Sequence, residues 1–269
     1  MTEPRERATY THGHHESVLR SHRTRTAESS ASYLLPRLSP EVMLLDVGCG
    51  PGTITADLAG LVAHVTAIEM AEEVLDIARA ELDLRGCRNV ALAVGDVNAL
   101  DFPDDSFDVV HAHQVLQHLA DPVRALREMR RVCRPGGVVA ARDADYEAFT
   151  WFPAVAELDE WLELYRGAAR ANGAEPDAGR RLLSWAHRAG FDDVTATSST
   201  WCFATADARR SWGGMWADRI RRSDLARQLV ASGAATEDDL ERISTGWRTW
   251  VDDDDGWFSL LHGEILATA

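Results

Sequence analysis

Residues 42–53 read VMLLDVGCGPGT. The apolar run Val42 to Leu45 is what a buried strand of a parallel sheet requires, and it passes through Asp46 into Gly48, Gly50 and Gly52. Residues without a Cβ take positive φ and let the backbone approach a ligand closely. A helix expected from Thr53 brings free N–H groups to the same place. Strand, turn and helix together read as a cradle for a phosphate- or nucleoside-sized group.

Outward from this stretch, strands are expected at 64–68, 90–94, 107–112 and 138–141, and helices at 53–59, 72–84 and after Asp121-Pro122, where the aspartate caps and the proline fills the first turn. Such alternation implies a parallel sheet with helices on both faces. A dinucleotide fingerprint would place its third glycine at Thr53, and the lack of it disfavours a nicotinamide-dependent dehydrogenase. Glu69 ends the second strand, where an acceptor-only carboxylate can take both hydroxyls of a ribose; the competing reading is a solvated strand-end glutamate.

Asp46 ahead of the glycines, Glu69, Gly95-Asp96 ending the third strand, FDVV at 107–110 and RPGG at 134–137 form a specific set. On these residues the chain resembles class I S-adenosylmethionine-dependent methyltransferases, and more closely the small-molecule enzymes similar to the ubiquinone/menaquinone C-methylases. The resemblance is strong over residues 40–145. It implies an α/β fold, a doubly wound Rossmann-like seven-stranded sheet, mostly parallel with the last strand antiparallel, and helical lid insertions. It also implies S-adenosyl-L-methionine as cofactor and S-adenosyl-L-homocysteine as product. Asp46, Gly48, Cys49 and Gly50 would surround the cofactor at the turn, with Glu69 on its ribose. Met70 would lie against adenine or ribose, Asp96 would accept from the adenine amino group, and Val97 would offer a backbone amide. His113 and Gln114, at the end of the fourth strand, would border the transferable methyl. Tyr10 and Arg25 would close over the cofactor from an N-terminal lid.

Composition narrows the partners. The net charge of −15 repels polyphosphate and argues against nucleic acid. All 28 basic residues are arginine, which removes lysine Schiff-base chemistry and a P-loop lysine. Cys49, Cys87, Cys133 and Cys202 are widely spaced, so neither a disulfide framework nor a zinc site is expected. No apolar run reaches the roughly 20 residues of a membrane span, and a cytoplasmic, soluble protein is the expectation. A homodimer is left open.

The chain reads as one methyltransferase domain: 1–40 an N-terminal lid and helix, with Ser17 to Arg37 helical; 41–146 the cofactor core; 147–190 and 204–256 helical additions forming a substrate lid. Helices are expected at 151–171 and 177–189, then a strand near 191–203 and a last strand at 257–267. Tryptophans concentrate outside the core, and Tyr146, Trp151, Trp212 and Trp216 are expected around an apolar acceptor. Imidazole titrates near neutrality, so His113 and His14, together with Asp143, are the candidate general bases. The expected reaction is O-, C- or N-methylation of a small molecule. The alternative from another class is a cofactor-binding regulatory or structural protein without transfer.

Overall fold

The computed structural model of the chain describes residues 25–269. Helix α1 (Ala27–Ala31) is set by Thr26, whose backbone is extended and whose hydroxyl accepts from Ser29 N–H while the Ser29 hydroxyl accepts from Thr26 N–H. This reciprocal box starts a helix at that point, so the continuous helix expected over 17–37 is corrected. Pro36 then allows only a short 3-10 turn, Leu35–Arg37.

The alternation that follows is the expected one: β1 (Met43–Val47), α2 (Thr53–Ala59), β2 (His64–Glu69), α3 (Glu72–Leu84), β3 (Val90–Val94), β4 (Phe107–His113), α4 (Pro122–Val132) and β5 (Cys133–Ala144). Strands β3, β2, β1, β4 and β5 lie side by side and parallel. Beyond them come β6 (Thr150–Phe152), α5 (Ala156–Ala171), α6 (Leu182–Ala189), β7 (Val194–Phe203), α7 (Ala206–Arg222), α8 (Asp224–Ala231), α9 (Glu237–Asp252) and β8 (Trp257–Thr268). Strand β8 is antiparallel to β5, β6 and β7. Ala267 pairs with both Val139 and Val194, and Ser259 with both Thr150 and Cys202. Strand β7 therefore holds one edge of β8 while β5 and β6 share the other.

Among the described residues the sheet thus has eight strands, the seven expected and the short β6. Residues 151 and 152 belonged to an expected helix at 151–171. Pro153 excludes its predecessor from helical backbone, and the β-branched and aromatic run Thr150-Trp151-Phe152 pairs with β8 instead. The expected helix at 177–189 is likewise shortened. Asp177 forms a bridge with Asp145, and regular helix begins at Leu182.

Each sheet face has its own core. Leu45, Val47, Ala112 and Ala141 pack against α4 and α6; Leu44, Val65, Val109 and Ala140 pack against α1, α2 and α3. A third core joins α5, α7, α8 and α9 to Phe258 and Leu260 at the start of β8. An ionic clasp ties these additions to the end of β5: Asp145 takes Arg180, and buried Asp177 takes Arg166 and Arg170 from α5.

Candidate functional site

The turn after β1 has the backbone its glycines were expected to supply: Gly48, Gly50 and Gly52 stand at φ 67°, 54° and 81°. A Cβ on Gly48 would lie 2.5 Å from Val115 Cγ2, so the space is closed even before the strain of a side chain at positive φ. Asp46 is buried beneath this turn. Its Oδ2 accepts from the Thr55 hydroxyl at 2.7 Å and its Oδ1 from His111 Nδ1 at 2.9 Å, tying β1 to α2 and β4. Both oxygens are engaged within the protein, so Asp46 positions the turn. Cys49 is also buried, and burial, then Asp46 and Glu69, push its thiol well above the usual range. It stays protonated and is no nucleophile.

Across from the turn, Glu69 Oε2 accepts from Gly50 N–H at 3.2 Å and Oε1 from Met70 N–H at 2.8 Å. Each carboxylate oxygen has a further lone pair, and the residue is only partly buried. The Met70 side chain is exposed. At the end of β3, Asp96 Oδ1 accepts from Asn98 N–H at 2.8 Å. The Val97 side chain is buried in the core, which leaves its backbone as the part it can offer a ligand. Acceptor-only carboxylates at two strand ends, around a turn closed to a Cβ at Gly48, fit an adenosyl group.

The next cluster stands on β4, β5, β8 and β7. Cross-strand partners share a face of the sheet, and His113 pairs with Arg142, Arg142 with Glu264, and Glu264 with Thr197. One pleat further, Ala144 pairs with His262 and His262 with Ser199. Gln114 stands in the left-handed region at φ 54°, a costly backbone for a non-glycine residue. Its N–H is held by Arg142 O at 2.7 Å and its side-chain amide meets His262 Nε2 at 2.7 Å. The imidazoles of His113 and His262 have ring centroids 6.2 Å apart, and Trp201 lies 5.8 Å from the first and 4.5 Å from the second. Burial, reinforced by Arg142 and Arg25, lowers the pKa of both histidines well below the ordinary value. His118 is pushed down to about 3 by burial and Arg25.

Asp143 does not join His113. Adjacent strand residues point to opposite faces, so Arg142 goes with the histidines and Asp143 to the α4 and α6 side. There its Oδ1 accepts from Gln117 N–H at 3.1 Å, and burial pushes its carboxyl up to about 8. Of the candidate bases, His113 and Asp143 therefore stand on opposite faces of the sheet. Tyr10 and His14 lie outside the described residues. Arg25 places its guanidinium carbon 5.2 Å from the Trp201 ring, beside the cluster.

The expected aromatic roof is a packed core. Trp216 is fully buried, 4.6 Å from Trp161 and 6.0 Å from Trp212 between centroids. Trp212 stacks on Phe203 at 4.7 Å, Trp151 on Phe258 at 5.5 Å and Tyr146 on Tyr165 at 4.2 Å. These rings face one another, so Trp212 and Trp216 hold the additions together. The residues that sequence reasoning missed are Trp201, His262 and Glu264. Polar side chains at a spacing of two in the otherwise apolar SLLHGEIL of 259–266 were the signal for His262 and Glu264.

Among the described residues no cluster of histidine, cysteine, aspartate and glutamate is arranged to hold a metal, and no helix is long and apolar enough to cross a membrane.

A family model described as a methyltransferase domain matches residues 45–141. An uncharacterized methyltransferase of Schizosaccharomyces pombe is 34% identical over 278 residues, covering 99% of this chain and 98% of its own length. A protein of Aspergillus luteorubrus named as a probable methyltransferase is 29% identical, covering 96% of each chain. Among solved structures, the YcgJ protein of Bacillus subtilis superposes with a TM-score of 0.58 at 18% identity, over 88% of this chain and 96% of its own, which bears on fold alone. With the glycine turn, the strand-end carboxylates and a full-length relative in agreement, the chain belongs to the class I S-adenosylmethionine-dependent methyltransferases.

Proposed function

We propose that this chain transfers a methyl group from S-adenosylmethionine to a small molecule, with kinship inside the superfamily to enzymes similar to the ubiquinone/menaquinone C-methylases. The observation that carries the reading is the left-handed glycine turn facing Glu69 across the 3.2 Å hydrogen bond from Gly50 N–H. When bound, S-adenosylmethionine supplies a methyl group on a sulfonium, a leaving group already activated by its charge.

The chain's own residues then have mainly to align the acceptor and exclude water. Glu69 holds the ribose hydroxyls, Asp96 and the Val97 backbone hold the adenine, and the turn at 48–50 lies along the methionine portion. Asp46 keeps that turn in place through Thr55 and His111. His113 and Gln114 form the wall next to the acceptor. An N-terminal lid carrying Tyr10 and His14, which lie outside the described residues, would cover the cofactor together with Arg25, and the additions at 147–190 and 204–256 would enclose the acceptor, the whole working as one domain. Incubation with S-adenosylmethionine and a panel of small-molecule acceptors should yield S-adenosylhomocysteine in step with methylated product. Tight cofactor binding with no product across oxygen, nitrogen and carbon acceptors would favour a regulatory role.

A further inference from the structure

The sheet face that carries His113 holds the buried Arg142–Glu264 ion pair, with Arg25 beside it as a further positive charge. Arg142 is 1% exposed, yet its Nη1 has no hydrogen-bond partner. Its Nε reaches Ser199 Oγ at 3.1 Å and Glu264 Oε1 at 3.2 Å. Its guanidinium carbon stands 4.9 Å from the centroid of Trp201, and that of Arg25 stands 5.2 Å from the same ring. Glu264, the carboxylate nearest in this row, has its oxygens taken by Arg142, Ser199 and Thr197. The charges that bear on His262 are Arg142 and Arg25, while Arg25 bears on His118, and Arg219 and Arg25 on Tyr146. Both ring nitrogens of His113 and Nδ1 of His262 are buried without a hydrogen-bond partner. Orphaned buried polar atoms are costly unless a ligand satisfies them.

We propose that the acceptor is an organic acid that presents an anionic oxygen, a carboxylate or an acidic phenolate or enolate, to the face formed by Arg142, Trp201, His113 and His262. This rests on the methyl-transfer reading. The acceptor oxygen forms a bond to the methyl carbon as the carbon–sulfur bond breaks, and the electron pair stays on sulfur as a neutral thioether. One negative and one positive charge become two neutral groups, and no proton is left over. A low-dielectric site favours such charge cancellation. It also removes the need for a base, which agrees with imidazoles held neutral among arginines. An amine acceptor would leave a new cation beside Arg142 and Arg25, with a proton that neither histidine is suited to take.

The test is calorimetric titration of the full chain, first ligand-free and then saturated with S-adenosylhomocysteine, with 2-naphthoate, 4-nitrophenolate, 2-naphthamide and 2-naphthylmethylamine. The acids should bind at least tenfold more tightly than the amide and the amine, and whichever acid binds better assigns carboxylate or phenolate. In the double variant Arg142→Gln/Glu264→Gln, which keeps the buried pair neutral, and separately in Arg25→Gln, the acid preference should fall at least fivefold. Equal binding of acid and amide, tighter binding of the amine, no acid binding at millimolar concentration, or an unchanged preference in both variants would overturn the proposal. Failure of S-adenosylhomocysteine itself to bind would defeat the methyl-transfer reading instead, and the ligand-free titration keeps the two outcomes apart.

Discussion

In the proposed reading, Glu69 is the residue on which cofactor recognition turns. Its oxygens already take Gly50 and Met70 N–H groups, and hydrogen bonds from ribose hydroxyls to a charged acceptor contribute about 1.5–3 kcal/mol each. Glu69→Ala should weaken S-adenosylhomocysteine binding at least tenfold by calorimetry and leave the circular dichroism spectrum unchanged; retained affinity would remove it from the site. Gly48→Val, placing a Cβ 2.5 Å from Val115 at φ 67°, should abolish binding, and normal binding would mean that the turn does not cradle the cofactor. Asp143 gives a pH signature. Its carboxyl is pushed up to about 8 by burial, against about 3.9 in an unfolded chain. Between these values the folded state keeps a proton that the unfolded state has lost, so stability falls as pH rises, by about 1.4 kcal/mol per unit. Asp143→Asn removes that slope. Urea denaturation at pH 5, 6.5 and 8 should show the variant gaining on the wild type across the series; parallel profiles would contradict the assignment. His113 and His262 act with the opposite sign, since their depressed values make stability fall as pH drops below about 6.5. Cofactor-side residues were legible in the sequence because each ends an apolar strand beside a glycine or an acidic residue. Trp201 was not, because it meets His113 only when distant strands pair, and no local pattern records that; His262 left only its two-residue spacing with Glu264 as a trace.

At the scale of elements, alternation of strand and helix through β5 was readable, whereas the additions were readable only as helical. The beginning of α5 shows why. An amphipathic pattern continues upstream through Trp151, but Pro153 and the pairing of Thr150–Phe152 with β8 override it. The clasp beneath α5 was hidden for a similar reason: Asp177 reads as a helix-start aspartate, and its partners Arg166 and Arg170 lie on the preceding helix. Removing one member of a buried ion pair leaves the others uncompensated, although Arg170 is about half exposed and screened. Asp177→Ala should cost about 2–3 kcal/mol in urea denaturation and speed hydrogen exchange in α5 more than in β1 and β4. Uniform acceleration throughout the sheet would show instead that the clasp supports the whole fold.

The whole molecule combines a net charge of −15 with a buried acceptor face lined by Arg142 and Arg25. Electrostatics at long range and inside the site therefore oppose each other. A net charge of this sign disfavours polyanions, while the interior, in the reading proposed, suits a single small acid once it is desolvated. The central claim is that the turn at 48–50 and Glu69 form an S-adenosylmethionine site that works in catalysis. Its most direct measurement is paired titration of S-adenosylhomocysteine into the wild type and Glu69→Ala at one pH and ionic strength. The account predicts one molecule bound per chain by the wild type and at least tenfold weaker binding by the variant. A wild type that binds neither S-adenosylhomocysteine nor S-adenosylmethionine, or a variant of equal affinity, would contradict it.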